Sequence, residues 1–289
     1  MRLRHLIAAT LLIAANAQGD PVAWKISTDS ATQIWLLGSV HYLREQDYPL
    51  PAIIDELYDQ ADALVMEIDL DDLDPAIVQT RFLQAAMLQG TEPLSSVLDA
   101  DVYTATQTTA RSLGLDLAAF EGFEPWLVAL TLMDLGMARL GFRAEQGLEQ
   151  HLLQRASKDG KDVRGLETLA AQISVFDELT LAEQQALLAQ TLEEIRSPES
   201  DMGELIAAWR SGSLDTLTGK LSASFSEFPG LYETLVVERN RHWAAELERL
   251  ADEPGRYLVV VGALHLIGAD NVIGLLRARG IDAVPIAAR

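Results

Sequence analysis

The sequence predicts an α/β protein, with a mixed β-sheet built from the N- and C-terminal segments and a large, mostly helical central region between them. Three observations predict it. β-prone runs alternate with a helical segment over residues 22–68. From residue 75 to about 225, most segments carry apolar residues at a 3.6-residue period. An unbroken apolar run at 257–261 is followed by a helical segment and a last β-prone run.

The elements follow in order. Arg2 and Arg4 precede an apolar run over 6–15 and the small-x-small site Ala15-Asn16-Ala17, the pattern of a secretory signal peptide over residues 1–17. The run is shorter than the roughly 20 residues of a membrane-spanning helix. The expectation is an exported chain, periplasmic or secreted, with no transmembrane segment in the mature part. Residues 18–289 then form one α/β domain with a helical insertion at about 75–225. Runs at 22–26 and 33–37 flank the turn-like Thr28-Asp29-Ser30 and read as a β-hairpin; the second leads into Gly38-Ser39-Val40-His41. Between 49 and 61, Ile53, Ile54, Leu57, Tyr58 and Ala61 fall at helical spacing, and 63–68 (ALVMEI) is a buried strand, which completes a βαβ unit. Within the helical middle only 161–165 reads as a strand. An amphipathic segment over 231–250 precedes the clearest buried strand, 256–261 (RYLVVV), which ends at Gly262-Ala263-Leu264-His265. A helix over 269–279, stopped by Gly280, and a strand over 281–286 close the chain.

Composition narrows the chemistry. Apolar residues make up 49% of the chain, enough to fill a sizeable core. Cysteine is absent, which excludes disulfides, iron–sulfur clusters and thiolate metal sites, so any metal must be held by His, Asp or Glu. A net charge of −21 disfavours nucleic acid and anionic lipid as partners. The sequence has neither a Gly-rich phosphate loop nor a Gly-x-Ser-x-Gly elbow. The acidic stretch Asp69-Leu70-Asp71-Asp72-Leu73-Asp74 lacks the Gly and terminal Glu of an EF-hand and reads as a solvated loop.

The two Gly-x-x-His segments, Gly38 to His41 and Gly262 to His265, carry the functional expectation. Each sits at the C-terminal end of an expected strand, where open α/β sheets place their ligands, so the two imidazoles are expected to converge. Glu67 lies near the end of a third strand between Met66 and Ile68, so its carboxylate needs a partner. Two readings satisfy it. In one, His41, His265 and Glu67 hold a divalent ion that activates water. In the other, Glu67 pairs with a buried arginine, and Arg239 falls at the centre of the stripe formed by Leu231, Leu235, Trp243, Leu247 and Leu250. The same projection turns Glu145 and Glu149 inward beside Leu148, Leu152 and Ala156. Glu167, beyond the short central strand, is a strand-end site acid or a helix-capping acid. His151 and His242 read as surface residues, and the five tryptophans as core or groove packing.

Several segments in this order resemble the TraB/GumN family, which is related to the TIKI metalloproteases and more distantly to erythromycin esterase and the haem-binding ChaN proteins. They are Trp35-Leu36-Leu37-Gly38-Ser39-Val40-His41, Glu67, Gly147-Leu148-Glu149-Gln150, Gly165-Leu166-Glu167-Thr168 with Gln172, Glu238-Arg239-Asn240, and Val261-Gly262-Ala263-Leu264-His265-Leu266-Ile267-Gly268. The resemblance spans nearly the whole mature chain and implies a shared α/β fold. It also implies metal-dependent, peptidase-like hydrolysis with Mn or Co as the favoured divalent ion, His41 and His265 as ligands and Glu67 as third ligand or general base. Glu238 or Arg239 would orient Glu67 or bind substrate. The expectation is therefore a metal-dependent hydrolase acting on a peptide or small-molecule substrate. Two alternatives stand beside it: a haem- or small-ligand-binding protein without catalysis, and a metal-free, esterase-like hydrolase with a histidine as general base.

Overall fold

The structure, a computed structural model, describes residues 21–28, 31–69, 74–196, 200–226 and 228–286. The expected signal peptide, Asp29 and Ser30 of the hairpin turn, and residues 70–73 of the acidic stretch lie outside the described residues.

One six-stranded mixed sheet organises the fold. Its strands are β1 (Ala23–Ile26), β2 (Gln33–Ser39), β3 (Ala63–Ile68), β4 (Asp162–Glu167), β5 (Arg256–Gly262) and β6 (Ala283–Pro285), in the order β4-β3-β5-β2-β1-β6. The expected hairpin is present, β1 running antiparallel to β2, and β6 adds to the other edge of β1. The strands β4, β3, β5 and β2 are mutually parallel. β3 is buried along its whole length, and β2 and β5 at all but their first residue. This matches the near-continuous apolar runs that a sheet covered on both faces requires.

Helices cover the sheet through residues spaced for one face. Ile54, Leu57 and Tyr58 of Ala52–Gln60 and Leu148, Leu152 and Ala156 of Leu148–Asp159 enter the core around the strands. Trp243, Leu247 and Leu250 of Glu238–Ala251 do the same. A second core contains no strand residues: Ala110, Val128, Leu132, Leu188 and Leu192 join helices Ala100–Ser112, Pro125–Arg139 and Leu181–Arg196. All five tryptophans are buried. Among the described residues, no helix is long and apolar enough to cross a membrane.

Two local expectations are corrected. Pro229–Tyr232, Glu233–Val237 and Glu238–Ala251 follow one another without a break, but the middle segment is a π-helical turn. Its i→i+5 hydrogen bonding rotates the helix face relative to a uniform 3.6-residue repeat. Val236 and Val237 are buried in consequence, while Leu235 is only half-buried. Glu145 does not point inward: it is exposed on a 3-10 turn, Ala144–Gln146, and the helix that carries Glu149 starts only at Leu148.

Candidate functional site

Four neighbouring parallel strands deliver their C-terminal ends to one edge of the sheet. β4 ends on Glu167, β3 carries Glu67, β5 ends on Gly262 and β2 on Ser39. Ser39 and Gly262 are register partners, so the chain leaves two paired strands side by side into the turns that hold His41 and His265. Gly38 permits the close pairing: a methyl group there would sit 3.0 Å from the Ala263 Cα and 3.1 Å from its Cβ. The turns converge as expected. A methyl group on Gly262 would lie 3.4 Å from Glu67 Oε1, 3.5 Å from His265 Cδ2 and 3.6 Å from His41 Nε2.

Each group at this meeting point has a defined partner. Gly262 N–H donates to Glu67 Oε1 at 2.8 Å. Arg239 Nη2 donates to Glu67 Oε2 and to Glu167 Oε1, both at 2.7 Å, so one guanidinium ties two strand-end carboxylates together. Glu167 also accepts from Trp243 Nε1 at 3.1 Å and Gln172 Nε2 at 3.4 Å. Arg239 Nη1 stands 3.5 Å from His265 Nε2, and its Cζ lies 4.5 Å over the Trp243 ring. On the other side, His41 Nδ1 meets Glu149 Oε1 at 2.7 Å, and Ser39 Oγ donates to the same oxygen at 2.5 Å. Glu149 lies in the first turn of Leu148–Asp159, whose Leu148 N–H donates to Val40 O at 3.2 Å. This contact docks the helix onto the His41 turn.

The electrostatics separate the two histidines. Glu149 raises the His41 pKa to about 9 against the opposing effect of burial. The ring is 57% exposed, so water screens part of this attraction. Burial pushes the His265 pKa down to about 3, which keeps that ring neutral. Burial alone would raise Glu67, but Arg239, the two histidines and the Gly262 N–H outweigh it and hold the carboxyl at about 2. Glu149→Gln is expected to bring His41 back towards its ordinary 6.5, because the anion that stabilises the imidazolium is gone. An NMR titration of the His41 ring checks this; an unchanged midpoint would contradict the pairing.

The residues present do not fit a divalent-ion cage as they stand. The Glu67 oxygens accept from Arg239 and Gly262, and His265 Nε2 faces a guanidinium. Among the described residues, no group of three or more His, Asp or Glu side chains is placed to hold an ion. Of the two readings for Glu67, the arginine partner is the arrangement found.

A model of the TraB/PrgY/gumN family matches residues 22–285, nearly all of the described chain. The chain belongs to the TraB/PrgY/gumN family. This family member is similar to the uncharacterized protein YbaP of Escherichia coli (strain K12), with 31% identity over 266 residues, 91% of this chain and 96% of that protein. It is likewise 31% identical to the uncharacterized YbaP of Shigella flexneri, over 84% of this chain and 87% of that protein. An uncharacterized protein of Treponema pallidum (strain Nichols) is 25% identical over 89% of this chain and 80% of its own length. No solved structure matches the chain.

In this TraB/PrgY/gumN protein, His41, Glu67, Glu149, Glu167, Arg239 and His265 form one contiguous cluster. Glu238 is not part of it; its side chain is exposed on the outer face of the helix that turns Arg239 inward. His242 is exposed, while His151 is half-buried against the Tyr48 ring. Sequence reasoning quoted Asn240 and Ser39 only within motif segments and gave neither a role. Asn240 is fully buried, donates to Asp270 O at 2.7 Å and stands 2.7 Å from His265 Nδ1. A polar residue three before Trp243 on the same buried stripe is the signal that could have found it.

Proposed function

We propose that this protein is a hydrolase of carbonyl bonds in peptides or esters, in which His41 moves the proton and Arg239 steadies the developing oxyanion. The observation that carries this reading is the state of the His41 ring. One nitrogen is held by Glu149 at 2.7 Å, and the other is directed to the point where Glu67 and His265 also meet. A base whose far nitrogen is oriented by a carboxylate is the working half of a nucleophile-activating pair, here with water as the nucleophile. Neutral His41 takes a proton from water as it attacks the carbonyl carbon, then returns it to the leaving nitrogen or oxygen. Arg239, kept charged and immobile by Glu67 and Glu167, faces the carbonyl oxygen as negative charge builds on it.

Because the His41 pKa is raised to about 9, kcat/KM is expected to climb as pH rises from neutrality towards that value. The test is turnover of fluorogenic peptide and ester libraries by the purified protein. One class is expected to be cleaved, with a loss of about 100-fold or more in His41→Gln. His242→Gln, remote and exposed, is expected to behave as the parent. No turnover of either class, a fully active His41→Gln, or tight haem binding in place of turnover would overturn the reading.

The second reading is hydrolysis with a divalent ion, Mn or Co as the resemblance implies. It is favoured by the meeting of Glu67 Oε1, His41 Nε2 and the His265 ring around Gly262, and it requires Arg239 to withdraw from His265 Nε2 as well as from Glu67. The basic start, apolar run and Ala15-Asn16-Ala17 support placing the protein outside the cytoplasm.

A further inference from the structure

The two Gly-x-x-His turns look alike, yet their rings are held by chemically different acceptors. We infer that Asn240 fixes the tautomer of His265, and through it the seat of Arg239, so that Asn240 is a positioning residue of the cleft. The inference rests on the hydrolase reading only for its effect on rate.

The direction of each hydrogen bond follows from groups that have only one role. The Asp270 backbone carbonyl only accepts, so the side chain of Asn240 must present its NH2 there, at 2.7 Å. That leaves Asn240 Oδ1 facing His265 Nδ1 at 2.7 Å, and an amide oxygen only accepts, so Nδ1 carries the hydrogen. At the opposite end of the ring, the guanidinium of Arg239 only donates, and its Nη1 lies 3.5 Å from His265 Nε2. A hydrogen on Nε2 would set donor against donor. The ring is thus clamped from both ends as the neutral Nδ1–H tautomer, with its Nε2 lone pair turned to Arg239.

The consequence reaches the reacting end of the cleft. Arg239 Nη2 is fastened to Glu67 and Glu167, and the His265 lone pair steadies Nη1. With the other tautomer, His265 would push Nη1 away and tilt the guanidinium about its Nη2 contacts. Placing a carboxylate on His41 and an amide on His265 divides the labour. The first ring is left basic and mobile in its protonation, and the second is left as a fixed acceptor.

Two-bond 1H–15N correlation spectra of the full chain labelled with 15N-histidine test this, because they distinguish the two neutral tautomers and the imidazolium. His265→Gln assigns the signal. His265 is expected as the Nδ1–H form, the minor tautomer of a free histidine side chain in water. In Asn240→Leu, close in volume, the acceptor facing Nδ1 is lost and part of the His265 population is expected to pass to the Nε2–H form. There kcat should fall by about tenfold with KM held within about twofold. A wild-type His265 in the Nε2–H or charged form at neutral pH overturns the inference, as does an unchanged His265 tautomer in Asn240→Leu. The wild-type spectrum needs no variant, so it decides even where Asn240→Leu does not fold. A protein that shows the expected tautomer yet hydrolyses nothing would defeat the hydrolase reading alone.

Discussion

Arg239→Met is expected to lower folding stability by about 3–5 kcal/mol and to remove activity, because it strips the shared counter-charge from two buried carboxylates. The Glu67 and Glu167 side chains are only 10% and 3% exposed, and the one guanidinium reaches both at 2.7 Å. Attraction between a buried pair barely offsets its desolvation, whereas a lone buried charge keeps the whole desolvation cost. The pH dependence has a definite sign. In the parent, Glu67 is depressed from 4.5 to about 2, so its contribution is present above the ordinary value and lost only as pH falls through about 2. In the variant, burial without Arg239 raises the same carboxyl, so lowering the pH neutralises it and relieves the strain. Denaturant unfolding is therefore expected to show the widest gap near neutral pH and a narrowing gap in acid. Adding Glu67→Gln to Arg239→Met is expected to recover part of the loss. Arg239→Lys keeps the charge but loses the Nε contact to Glu167 Oε2 at 3.3 Å and the Nη1 contact to His265, so it should fall between parent and Met. A stability loss below about 1 kcal/mol, flat with pH, would contradict this role.

Gly147→Ala is expected to cost about 100-fold in kcat/KM by displacing a residue it does not itself bond through a side chain. A methyl group on Gly147 would lie 2.1 Å from the His41 carbonyl oxygen and 2.8 Å from its carbonyl carbon. The backbone at Gly147 has φ −59°, which alanine adopts freely, so conformational strain plays no part. The clash is with backbone and must be relieved by moving either the His41 turn or the start of the helix that carries Glu149. Either movement breaks the 2.7 Å contact between His41 and Glu149. Two readouts should change together: the rate falls and the His41 titration shifts down towards 6.5. A stability loss of about 1–3 kcal/mol is expected from the overpacking. An active Gly147→Ala with an unshifted His41 would show that the close approach does not set the pair.

Much of the site is legible in the chain because strand ends are legible. A parallel strand covered on both faces must be a continuous apolar run. The run before Gly262 and the one ending in Glu67 and Ile68 therefore identify two of the four strands at the site's edge. The buried carboxylate of Glu67 predicts a partner on electrostatic grounds, and an arginine on an apolar helix stripe supplies one. What stays hidden depends on packing between distant segments. The pairing of His41 with Glu149 relies on Gly147 docking against the His41 carbonyl, a contact with no local periodic signature. The bond from Asn240 to His265 likewise joins a helix to a turn beyond the next strand. Local departures from regular helix defeat uniform projection. The π-helical turn at Glu233–Val237 exchanges Leu235 for Val236 and Val237, and the 3-10 turn before Gly147 leaves Glu145 in solvent.

The claim that His41 and Arg239 run this cleft without a divalent ion is decided by one rate measurement. Hydrolysis of the cleaved substrate class is compared before and after exhaustive chelation, with the metal content of each sample determined by elemental analysis. An unchanged rate is expected in protein carrying far less than one ion per chain, still abolished by His41→Gln. A rate lost on chelation and restored by Mn or Co would contradict it, and would return His41, His265 and Glu67 to the role of metal ligands.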